Sequence, residues 1–187
     1  MNASVATAAT GFPRIGTVTI ALCTKRLWLE PVDPVRDAGD LHNALTDPDV
    51  VRFWGAPSRD LGHTVERLRA MRDGNDYWVL RESPDSPAAG FVGLMRGGGL
   101  DWLLVRRVWG RGFGTEAVGA VIEHGFRHLG LSRVEARVDR DNGRSLALAR
   151  RVGLTERPGS GTRVVLVRSR AAKTGTDSRR RTMIVRC

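Results

Sequence analysis

Trp109-Gly110-Arg111-Gly112-Phe113-Gly114-Thr115-Glu116 stands between an apolar run, Leu100 to Val105, and a helix-patterned one, Val118 to Leu129. Glycines at alternate positions remove the Cβ atoms that would hold an anion off the backbone. The first turn of the following helix then offers N–H groups with no internal partner. The segment reads as a phosphate cradle. A helix end alone supplies about 0.3–1 kcal/mol, whereas each hydrogen bond to a charged group adds about 1.5–3 kcal/mol, so aligned amides outweigh the dipole. Arg106, Arg107 and Arg111 flank the loop, either as phosphate ligands or as solvated charges. The bland alternative is an unliganded strand-to-helix turn.

Two familiar phosphate loops are excluded by spacing. A P-loop needs Lys-Ser or Lys-Thr directly after its last glycine, and Thr115-Glu116 follows Gly114. A dinucleotide fingerprint starting at Gly110 needs its third glycine where Thr115 stands. Outward from the loop, the helix after Gly114 carries Val118, Val121, Ile122, Gly125, Phe126 and Leu129 on one face and ends at Gly130. Arg133 to Val138 then returns as a strand. A crossover helix implies that this strand runs parallel to the one before Gly110. Upstream, Arg26 to Pro31 alternates as a strand, and Pro34–Thr46 and Thr64–Arg72 have helical spacing. Tyr77–Arg81 and Phe91–Met95 form a hairpin, and Leu100 to Val105 supplies a third strand.

The order of four segments carries a resemblance: the loop through Ala117, Val134-Glu135-Ala136-Arg137-Val138, Asn142-Gly143-Arg144-Ser145, and Arg151-Val152-Gly153-Leu154. Together they resemble the GNAT superfamily of acyl-CoA-dependent N-acyltransferases, in particular its ribosomal-protein N-terminal acetyltransferase branch. Thr24 to Pro31 is similar to that branch's opening strand, and Thr46 to Trp54 to its substrate-side helix. The likeness covers Thr24 to about Ser169. It implies an α+β (α/β) fold: a mixed, mostly antiparallel sheet, a parallel pair splayed at its carboxyl ends, and flanking helices. It also implies acetyl-CoA as co-substrate without a metal, the pantetheine arm bonded to backbone near Leu103 to Val105, and the pyrophosphate on Gly110 to Thr115. Leu104, Val105, Arg106, Arg107, Gly110, Arg111, Gly112, Phe113, Gly114, Thr115 and Asn142 are the resulting cofactor-binding candidates.

Transfer from a thioester needs a neutral amine, donors for the oxyanion and a proton for the departing thiolate. The family pattern aligns its serine with Ser145, the candidate proton donor. The tyrosine that many relatives use one turn later is replaced by Ala149. The glutamate that many place early in the strand before the loop is replaced by Gly99, and Asp101, two residues on and on the same strand face, is the candidate base. Asn142 reads equally as a helix cap, Ser145 as an ordinary first-turn residue, and Asp101 as an exposed strand-end carboxylate. A weak base favours easy amines. An α-amine of pKa about 7.7–8.0 is about 30% neutral near pH 7.5, a lysine about 0.1%. The acceptor is therefore expected to be a protein N-terminus or a small-molecule amine. Trp54 and Trp78 either wall the acceptor site or belong to the core. His63, His124 and His128 have no metal spacing, and the last two read as surface positions.

The chain has 187 residues, 41% hydrophobic and 27% charged, in keeping with one soluble domain over 24–169 between an extension at 1–23 and a tail at 170–187. Of the net charge of +10, half comes from the tail, with six basic residues and one acidic. Such a tail attracts RNA or ribosomes through phosphate charge but has no aromatic platform for bases. No apolar run reaches the ~18–20 residues that span a bilayer. Ile15 to Cys23 lacks the pattern of an export signal, with an edge strand over Thr17 to Leu22 as one alternative. Cys23 and Cys187 form neither a metal spacing nor a disulfide framework, and the expected location is cytoplasmic. A homodimer is left open, as are two other functions: a degenerate acyl-CoA-binding regulatory module, and a ribosome- or RNA-associated protein acting through the tail.

Overall fold

A computed structural model describes residues 20–159 and 161–171. Eight strands form one sheet: β1 (Leu22–Cys23), β2 (Trp28–Pro31), β3 (Asp76–Arg81), β4 (Gly90–Leu94), β5 (Gly99–Leu104), β6 (Arg133–Asp139), β7 (Thr155–Glu156) and β8 (Arg163–Ser169). Their spatial order is β1-β2-β3-β4-β5-β6-β8-β7, antiparallel at every neighbouring pair except β5 and β6, which run parallel. Among the described residues five α-helices, α1 (Pro34–Thr46), α2 (Pro48–Val51), α3 (Leu61–Gly74), α4 (Phe113–Arg127) and α5 (Gly143–Arg151), and a 3-10 turn at Arg106–Val108 complete the fold.

Local chemistry sets the helix bounds. Asp33 caps α1 through its carboxylate, which accepts from the N–H groups of Val35 and Arg36 at 3.0 Å, and Pro34 pre-sets the first turn. Ala38, Leu41, Ala44 and Leu45 then bury one face. Asp47 ends α1 and caps α2, and Pro48 prevents one continuous helix, so the expected Thr46–Trp54 helix is four residues long. Asp60 caps α3 at the His63 N–H, which starts that helix three residues before Thr64. The crossover helix α4 packs on β4, β5 and β6 with Val118, Val121 and Ile122 fully buried. Burying each such aliphatic side chain contributes about 1.5–3 kcal/mol.

β8 has no counterpart among the expected strands, although Val164 to Val167 is an apolar run flanked by charge; it pairs with β6 along its whole length. Leu22 and Cys23, expected in the extension, belong to the sheet and pair with Leu29 and Trp28. Cys187 and nearly all of the basic tail lie outside the described residues, as does the half from Thr17 to Thr19 of the stretch from Thr17 to Leu22.

His124 is buried rather than exposed, whereas His128 is at the surface. The two rings stack at 5.1 Å, Trp78 meets His124 edge-on, and His124 Nδ1 has no hydrogen-bond partner among the described residues. Burial first, then the neighbouring His128, push the His124 pKa down, against a weaker pull from Asp76. A depressed folded pKa means that the unfolded chain binds the proton more tightly, so stability is lost as pH falls below the ordinary value of 6.5. Thermal melts are expected to show a larger fall in Tm between about pH 7 and pH 5.5 for the wild type than for His124→Phe. Equal falls would show that His124 is not the group responsible.

Candidate active site

β5 and β6 are hydrogen-bond neighbours only at Gly99 opposite Glu135 and Leu100 opposite Ala136. Beyond those pairs the strands part toward their carboxyl ends, each still paired on its other side, β5 to β4 and β6 to β8. The gap opens into a cleft of about 1420 Å³, lined by Leu100 to Leu104, Ala136 to Asp139, the glycine-rich loop and the start of α5. Val105 N–H donates to Ala89 O at 3.0 Å and Met95 N–H to Gly99 O at 2.8 Å, so alternate residues of β5 face β4. The peptide groups of Trp102 and Leu104 consequently face the gap. The Leu104 carbonyl is already taken by the Trp109 indole N–H at 2.9 Å. The open main-chain positions are thus at Trp102 and Leu104, with Leu103 and Val105 turned into the sheet.

Gly112 is the N-cap of α4, with φ 79°, and no side chain caps this helix. The first helical bond runs from Glu116 N–H to Gly112 O, at 3.1 Å. The N–H groups of Gly112, Phe113, Gly114 and Thr115 have no partner among the described residues, and all four residues line the cleft, as does Gly110. Gly114 serves packing as well: a Cβ there would lie 2.5 Å from Leu148 Cδ1 and 2.8 Å from Leu104 Cδ1.

The flanking arginines stand elsewhere. Arg106 pairs with Asp47 at 2.9 Å and with Asp49, Arg107 donates to the carbonyls of Pro87 and Ala88 at 2.9 Å, and Arg111 grips Glu82 in a bidentate pair at 2.7 and 2.9 Å. None of these three side chains, nor Val105, lines the cleft. Arg144 lines it with its guanidinium 4.3 Å from the Trp109 ring centre, and beside the helix start it is lined by Arg26, which sequence reasoning missed. Its Nη1 donates to Arg111 O at 3.0 Å, its guanidinium lies 5.0 Å from the Phe113 ring centre, and its Nη2 is 2.7 Å from Glu116. Glu116 also accepts from Thr24 Oγ1 at 2.6 Å. Burial raises the Glu116 pKa, but the bonds from Thr24 and Arg26 outweigh it and hold the carboxyl below its usual range. Nothing local marks Arg26, because its partner Arg111 is 85 residues away in the chain.

Asn142 caps α5, its Oδ1 accepting from the Ser145 N–H at 3.1 Å. Ser145 Oγ accepts from the Trp102 indole N–H at 3.3 Å. Asp101 Oδ1 accepts from Trp54 Nε1 at 2.9 Å, and Oδ2 from the Tyr77 hydroxyl at 3.2 Å. Trp102 and Leu104 meet α5 and α4, so Asp101, one residue before Trp102 on the same strand, points to the opposite face of the sheet. Both Asp101 and Ser145 line the cleft, approaching the splayed strands from opposite faces. Trp54 lines it too, whereas Trp78 is fully buried core with its indole N–H on Ile20 O at 2.8 Å. Among the described residues no cluster of three or more His, Cys, Asp or Glu could hold a metal ion, and no helix is long and apolar enough to cross a membrane.

A mixed sheet with a splayed parallel pair beside a glycine-rich helix start defines the GNAT acetyltransferase fold. The Acetyltransferase (GNAT) domain family matches residues 26–155, and the chain belongs to that family. It is 29% identical over 139 residues to the uncharacterized N-acetyltransferase p20 of Bacillus licheniformis, covering 68% of this chain and 78% of that protein. Its fold is similar to that of an acetyltransferase from Agrobacterium tumefaciens, with TM-score 0.72 and 23% identity over 86% of this chain and all of the other. A spermidine N-acetyltransferase from Vibrio cholerae, solved with CoA and spermine, has the same fold at TM-score 0.64 and 15% identity, covering 77% of this chain and 94% of that one.

Proposed function

We propose that this acetyltransferase moves an acetyl group directly from acetyl-CoA to a primary amine of low pKa, a protein N-terminus or a small molecule, with Asp101 as base and Ser145 as proton donor. The observation that carries the reading is the parting of β5 and β6 beside four unpartnered helix-end amides. Those amides suit a diphosphate, and the open main-chain groups at Trp102 and Leu104 suit the amide-bearing arm of the same substrate. A coenzyme-A thioester donor goes with the cytoplasmic location expected from the sequence.

In this reading the acceptor amine reaches the thioester from the Asp101 face. Asp101 takes a proton from the ammonium group, freeing the lone pair that forms the C–N bond. As the C–S bond breaks, the Ser145 hydroxyl gives its proton to the thiolate, and the nitrogen, positively charged after the attack, gives up its second proton to restore the hydroxyl. The indole N–H of Trp102 is a donor only, so Ser145 Oγ must act as acceptor toward it, and the hydroxyl hydrogen stays available for the sulfur. Ser145→Ala is therefore expected to leave CoA affinity unchanged and to lower kcat about a hundredfold. An unaltered kcat in steady-state assays would remove Ser145 from the mechanism.

The experiment that tests the whole reading is thiol release from acetyl-CoA with a panel of acceptors: short peptides with free N-termini, polyamines and aminoglycosides. Turnover with at least one amine supports it. Tight CoA association without turnover on any of them would favour a binding module, a reading motivated by Gly99 and Ala149 standing where relatives place catalytic side chains.

A further inference from the structure

Tyr77, Gly93 and Asp101 lie in one row across three neighbouring strands: Tyr77 is opposite Gly93 in the β3–β4 register, and Gly93 is opposite Asp101 in the β4–β5 register. A side chain on the middle residue would separate the outer two. At Gly93 an added Cβ would lie 2.3 Å from Tyr77 Cε1, so the ring crosses the space that any other residue would fill, and its hydroxyl reaches Asp101 Oδ2 at 3.2 Å. From the loop after α2, Trp54 supplies the second donor, to Oδ1 at 2.9 Å. Both rings are themselves fixed. Phe91 meets Trp54 edge-on at 5.2 Å and Tyr77 at 5.9 Å, and the Arg67 guanidinium lies 4.9 Å from the Trp54 ring centre.

We propose that Tyr77, the chain's one tyrosine, and Trp54 are positioning residues that hold the Asp101 carboxylate by two uncharged donors, fixing its direction while leaving it able to take a proton. This deepens the reading of Asp101 as base and rests on it. A carboxylate accepts about four hydrogen bonds. One donor on each oxygen orients it and leaves a lone pair on each for an ammonium proton. An arginine in the same place would fix the geometry equally well, but its charge would strongly oppose protonation. Asp101 has no ion-pair partner among the described residues. The other charged groups lining the same cleft are Arg52 and Asp49 near α2, Arg26 and Glu116 beside the cradle, Arg137 and Asp139 on β6, Asp141 before α5, Arg144 and Arg151 on α5, and Arg163 on β8, with Arg67 behind Trp54. Burial first, then the charge of Asp101, push the Tyr77 pKa up, so the hydroxyl keeps its hydrogen throughout the working range and remains a donor. In the transfer step the N–H bond of the ammonium breaks, an O–H bond forms on Asp101, and neither tyrosine nor tryptophan changes charge.

The test reads Asp101 through its neighbour. In 15N-labelled protein the Trp54 indole N–H resonance, assigned by its loss in Trp54→Phe, is followed against pH in the wild type, Tyr77→Phe, Gly93→Ala and Asp101→Asn. A hydrogen bond to the charged form lowers a carboxyl pKa, so removing the tyrosine hydroxyl is expected to raise the titration midpoint by about one pH unit. Gly93→Ala, which keeps the hydroxyl but displaces the ring, is expected to move it the same way, and Asp101→Asn to abolish the titration. A midpoint unmoved in both Tyr77→Phe and Gly93→Ala overturns the proposal. Full turnover in Asp101→Asn, with the Tyr77→Phe midpoint still raised, would instead sink the base and leave the holder standing, which keeps the two failures apart.

Discussion

Gly112→Glu is expected to weaken coenzyme A binding about a hundredfold or more, the equivalent of losing at least two charge-assisted hydrogen bonds of about 1.5–3 kcal/mol each. The backbone there has φ 79°, a left-handed conformation that costs a residue with a Cβ about 1–2 kcal/mol. The added Cβ would stand 3.4 Å from Arg26 Nη2, so the new carboxylate has a cation within reach and settles where a phosphate would. Gly112→Ala separates the two contributions, because it carries the backbone strain without the negative charge. Calorimetric titration with CoA on both variants, beside thermal melts that establish folding, checks the expectation. Affinity equal to that of the wild type in Gly112→Glu would place the diphosphate somewhere else.

The glycine-rich turn into α4 was legible because its signal is local. Alternating glycines between an apolar run and a helical pattern need no knowledge of distant residues, and α4, the returning strand β6 and the cap at Asn142 follow from neighbours within a few positions. Partners contributed by remote segments were not legible. Arg106, Arg107 and Arg111 look free beside the loop, yet Asp47, Pro87 and Glu82 claim them from 59, 20 and 29 positions away. Arg26 enters the site by the same kind of long-range docking. His124 shows a different failure. Periodicity put it on the flank of α4, but Trp78 and the sheet cover that flank, so a polar residue is buried where its type suggested exposure. Asp101 was nominated as base from the family's glutamate position at Gly99 and strand alternation, whereas the donors on it depend on the β3–β4–β5 register, which no single segment encodes.

Arg81→Leu is expected to lower the free energy of unfolding by about 1.5–3 kcal/mol, the usual worth of a hydrogen bond to a charged group, because Asp37 loses Arg81 but keeps Arg36 at 2.7 Å and the Asp33 N–H at 2.8 Å. Arg81 is 6% exposed and Asp37 fully buried, joined by an Nη2–Oδ1 contact of 2.7 Å. Nη1 reaches Asp40 at 2.9 Å, whose carboxylate also accepts from the Ala88 N–H at 2.8 Å. The guanidinium thus ties α1 to β3 and to the segment entering β4, the same segment whose carbonyls hold Arg107 just before the cradle. Replacing Asp37 as well removes the carboxylate that lost its Arg81 contact, so the double variant Asp37→Leu/Arg81→Leu is expected to be more stable than the sum of the single losses predicts, by about 0.5–3 kcal/mol. Denaturant titrations of the four proteins measure this coupling directly. Because the pair lies away from the splayed strands, CoA affinity in whatever fraction of Arg81→Leu remains folded is expected to match the wild type. Strict additivity of the two losses would mean that the buried charges act independently and that the packing of the arginine stem, rather than its charge, is what the fold requires.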